Sequence, residues 1–401
     1  MQVAYISADA GVPVFGRKGC SIHVQELLSS LAKRGVQIDL FATSCEGDRP
    51  PGLETVQLRP LPRPPKGDLA WREQLSLAAN DDLRAALEKA TGDGPQRSRF
   101  ALVYERYSLW SHAGMEYARA VGVPGILEVN APLIEEQAEH RGLVDRVSAE
   151  RVAKQVFDAA RALVAVSDEV AVYLERFPAA RGKVHVIPNG VNPARFPEGL
   201  NSSRDSASER FTVGFVGTLK AWHGLPVLVE AFAQVQARCP NMRLLIVGDG
   251  PERENLEADL AARGLTQAVE FTGAVAPAEV PGLLARMDAG VAPYPKLSNF
   301  YFSPLKVYEY MTAGLPTVAS RIGQLEKLIE HGVSGLLVTP GDAAELANAL
   351  HQLYEAPEWR RNLGKAARAI VLRDCTWDGV VERILSLAGF RLAPQPVGLG
   401  R

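Results

Sequence analysis

Cysteine is scarce in this 401-residue chain, and long apolar runs are missing from it. Cys20, Cys45, Cys239 and Cys375 have the spacing of neither a disulfide framework nor a zinc site. We therefore expect reduced thiols, as in a cytoplasmic protein. No run of about 18 apolar residues occurs, so we expect no membrane-spanning helix. Residues 1–7 are a short apolar run without the basic start of a secretory leader, and we expect them to form a strand.

An excess of basic residues is also missing. Lys and Arg number 44 against 46 Asp and Glu, which gives a formal net charge of -2. This balance argues against a general nucleic-acid-binding protein, but it is compatible with a local cationic pocket for a phosphorylated small molecule. The composition, 47% apolar and 22% charged, is typical of a globular enzyme, and a chain of this length suits two domains.

Short apolar runs alternate with helical patterns along the whole chain. Most runs are uninterrupted Val, Ile, Leu and Ala, which is typical of parallel strands covered on both faces. Val24, Leu27, Leu28 and Leu31 have the spacing of one helix face. This alternation predicts βαβ units and parallel sheets. The clearest predicted strands are residues 3–7, 37–42, 101–104, 125–129, 162–166, 184–187, 212–216, 243–247, 269–271, 289–292, 317–319 and 335–338.

A turn and a polar segment divide this pattern into two halves. Residues 188–191 are a turn, and residues 201–208 have the composition of a flexible linker. We predict one Rossmann-like domain over residues 1–200 and a second over residues 209–375, with the active site in a cleft between them. Residues 59–66 are predicted to be a proline-rich surface loop, and residues 393–401 a disordered tail.

Glycines follow predicted strands at three places. They occur within residues 16–19, at Gly217, and within residues 248–250. Glycine lets backbone N–H groups approach a phosphate at a helix N-terminus, although each segment also fits a plain turn. Ser21 is a candidate N-cap for the first helix. Residues 248–250 are half of a dinucleotide fingerprint, but Arg253 stands where its third glycine would fall, which argues against NAD(P).

The segment after residue 302 has the densest set of features. Ser303 is a candidate cap and Pro304 suits a first helical turn. Lys306 and Glu309 are three residues apart, so both project from one helix face. An ammonium near the positive end of a helix is out of place unless an anion binds there. A diphosphate would face Lys306 and the helix amides, and Glu309 would accept hydrogen bonds from ribose; the alternative is a surface Lys–Glu pair.

Together these segments resemble the retaining glycosyltransferases of family 4. The resemblance rests on the glycine-rich loop after the first strand, Val-Gly-Thr-Leu at 216–219, Val-Gly-Asp-Gly-Pro-Glu at 247–252 and Glu-Tyr-Met-Thr-Ala-Gly-Leu-Pro at 309–316. It implies an α/β protein of GT-B fold, in which two Rossmann-like, doubly wound parallel-sheet lobes face each other across a cleft. It also implies that the first lobe binds the acceptor and the second the donor, and that a helix over residues 376–390 packs back on the first lobe.

The activity implied is transfer of a hexosyl-type sugar from a nucleotide diphosphate sugar to an acceptor hydroxyl. The resemblance further implies a front-face mechanism that retains the anomeric configuration, with no metal ion or other cofactor. Lys306, Glu309, Asn130 and His223 become the catalytic candidates. Backbone and side-chain contacts to the donor are implied for Gly19, Gly217, Thr218, Gly248, Gly250, Gly273, Ala274, Val275, Ala276, Tyr301, Ser303, Pro304 and Leu305. Of these, residues 273–276 fall where the backbone would contact the nucleobase.

The sequence departs from the family pattern at several positions. Tyr301 replaces the first glutamate of a pair whose second member is Glu309, and Thr218 and His223 replace an Arg and a Lys. We expect His223 and Lys306 to supply the missing positive charge. Asn130 replaces a histidine near the reacting sugar; Asn can hydrogen-bond a hydroxyl but cannot take a proton. Glu128 and Glu135 are nearby carboxylates for that task, and the acceptor-side candidates are His23, Tyr104, Arg106 and Glu135.

Two other functions are compatible with the sequence. The departures at Tyr301, Thr218 and Asn130 are compatible with a non-catalytic nucleotide-sugar or glycan-binding protein of the same fold. The glycine turn at 248–250 is compatible with an NAD(P)-dependent oxidoreductase. For the transferase, the expected partners are a nucleotide-sugar donor and a glycan, lipid-linked or small-molecule acceptor, without nucleic acid. The expected location is the cytoplasm, with peripheral association at the inner face of the membrane as one option.

Overall fold

The computed structural model describes residues 1–65, 67–91, 99–199 and 210–390. These residues form two compact α/β units. Unit 1 contains Met1–Asn189 together with the chain from Trp377, and unit 2 contains Gly190–Thr376. The division falls in the predicted turn at 188–191 and not at the predicted domain boundary of residue 200, so residues 190–199 belong to unit 2. The segments predicted as a linker (201–208) and a tail (393–401) lie outside the described residues.

Unit 1 is built on a seven-stranded sheet in the order β3-β2-β1-β4-β5-β6-β7, and all neighbouring strands are parallel. A parallel sheet requires crossover helices, and the alternating sequence supplies them. The strands are β1 (Gln2–Ser7), β2 (Gln37–Ala42), β3 (Gln57–Pro60), β4 (Leu102–Arg106), β5 (Gly125–Val129), β6 (Ala162–Ala165) and β7 (Val184–Val186). The helices are α1 (Gly19–Lys33), α2 (Leu69–Thr91), α3 (Ala113–Ala120), α4 (Leu133–His140), α5 (Arg146–Ala159) and α6 (Asp168–Glu175).

The edge strand β3 corrects the sequence prediction. Arg59 and Pro60, assigned above to a proline-rich loop, are the last residues of this strand. Pro60 lacks an N–H, which an edge strand tolerates. Arg59 also donates a 2.9 Å hydrogen bond to Asp39 on β2. The short polar sequence of β3 gave no apolar run from which a strand could be recognised.

Unit 2 is built on a six-stranded parallel sheet in the order β10-β9-β8-β11-β12-β13. Its strands are β8 (Phe211–Val216), β9 (Met242–Val247), β10 (Val269–Gly273), β11 (Ala289–Ala292), β12 (Thr317–Ser320) and β13 (Leu336–Val338). Its helices are α7 (Leu225–Gln236), α8 (Arg253–Ala262), α9 (Val280–Leu284), α10 (Leu305–Thr312), α11 (Gln324–Leu328), α12 (Ala343–Glu355) and α13 (Pro357–Asp374). Apolar clusters cover this sheet, one including Phe215 and Phe232 and the other including Val307 and Tyr310.

The last helix, α14 (Trp377–Leu387), belongs to unit 1. It lies against α1, whose buried residues include the predicted set Val24, Leu27, Leu28 and Leu31. Ser30 of α1 donates a 2.6 Å hydrogen bond to Asp378 of α14. Unit 1 is thus completed by residues from the far end of the chain. Among the described residues, no helix has both the length and the apolar character to cross a membrane.

Candidate active site

Three loops at the carboxyl ends of β8, β9 and β10 are joined by backbone hydrogen bonds. Leu219 N donates to Asp249 O at 3.0 Å, which links the first loop to the second. Gly248 N donates to Gly273 O at 3.0 Å, which links the second loop to the third. These are the segments that the sequence assigns to donor binding. The structure therefore brings Gly217, Gly248, Gly250 and Gly273 together on one edge of the unit 2 sheet.

Neighbouring backbone requires two of these glycines. Gly248 has φ 134°, and a Cβ there would lie 2.1 Å from the carbonyl oxygen of Gly217. A Cβ on Gly250 would lie 2.5 Å from the carbonyl oxygen of Leu219. Close packing between loops thus accounts for both glycines, which the sequence analysis had connected with a phosphate. The glycines at 248 and 250 are therefore explained by packing between neighbouring loops.

Helix α10 begins one residue later than its predicted caps suggest. Pro304 occupies the N-cap position and no side chain caps the helix, so the prediction that Ser303 caps it is wrong. The carbonyl of Ser303 instead accepts a 3.0 Å hydrogen bond from Leu305 N. The helix stops at Thr312, and Gly314 follows with φ 71°. Lys306 therefore lies in the first turn of α10.

The side chain of Lys306 is buried in unit 2, with 9% of its surface exposed. Its Nζ lies 4.0 Å from the centre of the Phe215 ring and 5.5 Å from that of Tyr294. A Cβ on Gly217 would lie 3.1 Å from this nitrogen. Nζ has no hydrogen-bond partner in the part of the chain that the structure describes. Burial lowers the pKa of Lys306 to about 7. The alternative of an exposed Lys306–Glu309 pair is wrong.

His223 lies beside Lys306 but does not supply the positive charge that the sequence analysis expected. Its Nδ1 is 2.6 Å from the carbonyl oxygen of Thr218. A carbonyl only accepts, so Nδ1 carries the hydrogen and Nε2 keeps its lone pair in the neutral ring. Burial, and then the nearby Lys306, lower the pKa of His223 to about 3. His223 is therefore uncharged at neutral pH, because the protonated ring would be desolvated and would also lie close to Lys306.

Glu309, the predicted ribose ligand, is held by an arginine that the sequence analysis did not single out. Arg195 Nη1 donates to Glu309 Oε1 at 2.9 Å, and both side chains are less than one-fifth exposed. The second nitrogen, Nη2, donates to the carbonyl of Pro277 at 2.9 Å. Arg195 thus joins α10 to the loop after β10. The two members of the pair are 114 residues apart, so no local pattern reveals it.

The remaining donor candidates are spread over the same edge of unit 2. The segment 274–276 follows β10, but Ala276 N already donates to Glu279 Oε2 at 2.7 Å and is engaged within its own turn. Thr218 orients His223 through its carbonyl. Tyr301, in the segment before α10, has its ring centre 4.4 Å from that of Phe302. Gly19 is the exception in position, because it is the first residue of α1 in unit 1.

Unit 1 has its own polar cluster at the carboxyl ends of β4 and β5. Glu128, 2% exposed, lies at its centre. Glu128 Oε1 is 2.8 Å from His23 Nε2, and Oε2 accepts a 3.0 Å hydrogen bond from Asn130. Arg106 Nη1 is 3.6 Å from Oε2. The structure therefore brings together the predicted residues His23, Arg106 and Asn130 around Glu128.

The charge state of Glu128 follows from these neighbours. Burial acts to raise its pKa, but His23, Arg106 and the Asn130 hydrogen bond outweigh burial and lower the pKa to about 2. Glu128 is therefore a permanent carboxylate near neutral pH and has no proton to donate. His23 also makes an edge contact with Trp377, with ring centres 4.9 Å apart. This contact connects the cluster to α14.

Buried hydroxyl groups surround the Glu128 cluster. Tyr5 and Ser7 lie on the same face of the sheet as Arg106 and Glu128, as the strand register shows. Tyr104 is fully buried, with its ring centre 5.3 Å from that of Tyr5. Within the described ranges, the hydroxyls of Tyr5, Ser7 and Ser21 have no hydrogen-bond partner. Ser21 is inside the first turn of α1, whose N-cap is Lys18, so its predicted capping role is wrong.

Glu135 is engaged elsewhere in unit 1. It belongs to the first turn of α4 and lies 3.5 Å from both Arg146 and Arg176. Its position is that of an ion-paired residue. Considering only the described residues, no three His, Cys, Asp or Glu side chains come together in a way that would hold a metal ion.

Comparison with known proteins identifies the family. The family model described as Glycosyltransferase Family 4 matches residues 17–195, and the model described as Glycosyl transferases group 1 matches residues 210–356. The chain belongs to the family 4 glycosyltransferases. This glycosyltransferase is therefore a transferase enzyme of GT-B fold, with parallel sheets of seven and six strands. The alternatives of an NAD(P)-dependent oxidoreductase and of a non-catalytic binding protein are not supported.

Relatives of known name align with most of this glycosyltransferase. It is 30% identical over 400 residues to the D-inositol 3-phosphate glycosyltransferase of Stackebrandtia nassauensis, covering 92% of this chain and 86% of the relative. The corresponding enzyme of Pseudarthrobacter chlorophenolicus is 27% identical over 394 residues, with 92% and 88% covered. The family assignment thus rests on both units.

Solved structures share the fold of this glycosyltransferase. Sucrose-phosphate synthase from Thermosynechococcus elongatus has a TM-score of 0.74 at 23% identity, over 96% of this chain and 98% of that one. Anabaena Alr3699/HepE, solved in complex with UDP-glucose, has a TM-score of 0.70 at 21% identity, over 97% and 99%. At these identities the likeness concerns the fold alone.

Proposed function

We propose that this glycosyltransferase transfers a hexosyl-type sugar from a nucleotide diphosphate sugar to an acceptor hydroxyl, with retention of the anomeric configuration and without a metal ion. The observation that carries the proposal is the buried, unpartnered ammonium of Lys306 beside Gly217. A buried cation without a counter-ion is costly, and a diphosphate would supply the missing negative charge. Such uncompensated groups are typical of functional sites.

The chemistry needs negative charge to be stabilised on the departing diphosphate. Lys306 and the first N–H groups of α10 support this role, because both would face the same anion. A positioned donor of this kind contributes about 3 kcal/mol to a transition state. In the proposed front-face reaction, the acceptor hydroxyl bonds to the anomeric carbon as the bond to the phosphate oxygen breaks. The departing phosphate oxygen receives the hydroxyl proton, so no protein base is required.

The polar cluster of unit 1 supports a hydroxyl-rich ligand. The ionised Glu128 and the Asn130 amide would orient sugar or polyol hydroxyls, and the unpartnered hydroxyls of Tyr5 and Ser7 add further hydrogen-bonding groups. Asn130 has no proton-accepting nitrogen, which is consistent with a reaction that needs no base at that position. The reduced cysteines expected from the sequence support a cytoplasmic location, with an acceptor in solution or at the inner face of the membrane.

A thermal-shift panel tests the donor half of the proposal. UDP, GDP, ADP and TDP, each free and with glucose, galactose or N-acetylglucosamine attached, are screened against the whole chain. A nucleotide that binds only the folded protein raises the melting temperature, and at equal concentration a tighter-binding nucleotide raises it more. UDP-glucose is the first donor to test because the related fold of Alr3699/HepE was solved with it. A panel in which no nucleotide shifts the melting temperature would contradict the proposal.

A turnover assay tests the reaction itself. Release of the nucleotide diphosphate is measured with the stabilising donor and acceptors that include inositol phosphates, sugar phosphates and lipid-linked sugars. The anomeric configuration of the product is read by NMR, and the assay is repeated with EDTA. Retention and an unchanged rate in EDTA are expected; inversion, or loss of the rate in EDTA, would contradict the corresponding part of the proposal.

A further inference from the structure

Arg195 bridges two elements that the resemblance to family 4 assigns to the nucleoside half of the donor. One terminal nitrogen donates to Glu309, the proposed ribose ligand, and the other donates to Pro277, directly after the proposed base-contact segment 274–276. Both distances are 2.9 Å. A planar guanidinium fixes the angle between its two donors, so it fixes the two acceptors relative to each other. A lysine at this position has a single nitrogen and cannot reproduce this.

The backbone that carries Arg195 is itself held against α10. Arg195 ends a short 3-10 turn, Pro193–Arg195, and its guanidinium lies 5.2 Å from the ring centre of the fully buried Phe196. Arg368 donates one hydrogen bond to the carbonyl of Phe196 at 3.0 Å and another to the carbonyl of Thr312. Thr312 is the last residue of α10. The segment is therefore fixed at the C-terminal end of the helix, while Arg195 reaches Glu309 one turn earlier.

We infer that Arg195 is a positioning residue for the donor, and that it acts by holding Glu309 and the loop after β10 in one arrangement. The inference rests on the proposed function, since it takes Glu309 as the ribose ligand. A carboxylate offers about four lone-pair positions, so a hydrogen bond from Arg195 is compatible with hydrogen bonds from ribose hydroxyls to the same group. Arg195 thus affects recognition of the nucleoside without touching the diphosphate, which Lys306 would bind.

Calorimetric titration of the whole chain tests this inference with probes that separate the two halves of the donor. The probes are UDP, 2′-deoxy-UDP, 3′-deoxy-UDP and inorganic pyrophosphate; ADP or GDP replaces UDP if the wild type binds one of them more tightly. Arg195→Met keeps an aliphatic side chain and removes the guanidinium, and Arg195→Lys keeps the positive charge. Arg263→Met is the matched control, because Arg263 also joins two acceptors, Asp259 and Glu230, on the exposed side of unit 2.

Arg195→Met should weaken UDP binding on the order of tenfold or more, since charge-assisted hydrogen bonds position the ribose ligand. Arg195→Met should bind pyrophosphate as tightly as the wild type does. The UDP affinity of Arg195→Lys should lie between that of Arg195→Met and that of the wild type. Removing one ribose hydroxyl, as in 2′-deoxy-UDP or 3′-deoxy-UDP, should reduce the affinity less in Arg195→Met than in the wild type. The reason is that the carboxylate of Glu309 is no longer aligned in the variant. A role in folding alone would not produce this change. Arg263→Met should match the wild type for every probe.

Three results would overturn the inference. They are unchanged UDP binding by Arg195→Met, equal weakening of UDP and pyrophosphate, and tighter UDP binding, which would mean that Arg195 blocks Glu309. If Arg195→Met does not fold, the same comparisons are made with Arg195→Lys. A wild-type chain that binds no nucleoside diphosphate would instead defeat the proposed function, so the two failures are distinguishable.

Discussion

The ammonium nitrogen of Lys306 lies 4.0 Å from the centre of the Phe215 ring. The face of an aromatic ring attracts a cation but carries no net charge. A carboxylate in the place of Phe215 would neutralise the lysine, whereas the ring holds it in place and leaves its charge available. The pairing of helix α10 with strand β8 through these two side chains therefore creates a positive site of defined position in unit 2.

Replacing Lys306 by methionine should separate catalysis from stability. Lys306→Met is expected to lower turnover about a hundredfold, because it removes the cation proposed to stabilise the leaving group. Its melting temperature should equal or exceed that of the wild type, since a buried charge without a partner is replaced by an apolar chain of similar length. Turnover is measured by nucleotide diphosphate release and stability by thermal unfolding.

Lys220→Met is the control for this variant, because Lys220 also lies over an aromatic ring, 4.8 Å from the centre of Trp222. It should turn over at close to the wild-type rate. Near-normal turnover by Lys306→Met would show that its assigned role is wrong.

Binding of UDP should depend on pH through Lys306. Burial lowers the pKa of this amine from 10.5 to about 7, and a bound diphosphate favours the protonated form. As the pH rises above 7, binding must therefore take up a proton, and the affinity should fall by up to about tenfold per pH unit. Calorimetry in two buffers of different ionisation heat measures the uptake. Lys306→Met should show no proton uptake, and uptake persisting in that variant would assign the effect to another group.

Alanine at Gly248 should destabilise unit 2. The new Cβ would lie 2.1 Å from the Gly217 carbonyl oxygen, at a backbone conformation, φ 134°, that side chains rarely adopt. Strain of this kind costs about 1–3 kcal/mol before the steric clash is added. Gly264→Ala provides the comparison, because Gly264 has φ 70° and open space around it. That change should cost about 1–2 kcal/mol. Urea unfolding measures the stability of both variants. Equal losses of unfolding free energy would argue against loop packing as the reason for glycine at position 248.

Glu105 should make unit 1 less stable as the pH rises. This side chain is fully buried, and one carboxylate oxygen accepts a hydrogen bond from Ser111. Burial raises its pKa from 4.5 to about 7. The folded protein therefore keeps a proton that the unfolded chain loses between these values. Its contribution to stability is fully present below pH 4.5 and is lost as the pH rises through 7. Glu105→Gln should remove this pH dependence, so the loss of unfolding free energy between pH 5 and pH 8 should be smaller in the variant than in the wild type.

Glu128→Gln gives the opposite dependence for comparison. The pKa of Glu128 is lowered from 4.5 to about 2, so its contribution is present above pH 4.5 and is lost as the pH falls towards 2. The variant should be less stable at neutral pH than the wild type and should lose less stability on acidification to pH 2. Equal pH dependence of Glu105→Gln and the wild type would show that Glu105 does not titrate as its burial implies.

The parallel strands were predictable because each is a local apolar run bounded by turns. The run at residues 37–42 became β2 and that at 289–292 became β11 without change. Strand β3 was not predicted, because an edge strand buries little surface and so tolerates a polar sequence with proline. The position of Lys306 at the start of a helix was also predictable, since Pro304 suits a first helical turn. An ammonium there conflicts with the helix dipole, which indicated a bound anion.

The partners within each site were not predictable from one sequence. His23 and Glu128 are 105 residues apart, and Arg195 and Glu309 are 114 apart, so only the tertiary fold brings them together. His223 was misassigned because its charge depends on burial and on its distance from Lys306, neither of which is a property of the local sequence. Phe215 was counted as one more apolar residue of a strand, although its ring face holds the ammonium.

Helix α14 makes unit 1 discontinuous in sequence, while unit 2 is one uninterrupted segment. As the ribosome releases the chain, unit 2 has all its strands and helices before unit 1 acquires its last helix. Until Trp377 emerges, His23 lacks its ring contact and α1 lacks its contact with α14. Stopping synthesis anywhere before residue 377 would therefore leave the earlier half of the polypeptide unfinished, even though every residue of that half had been made long before.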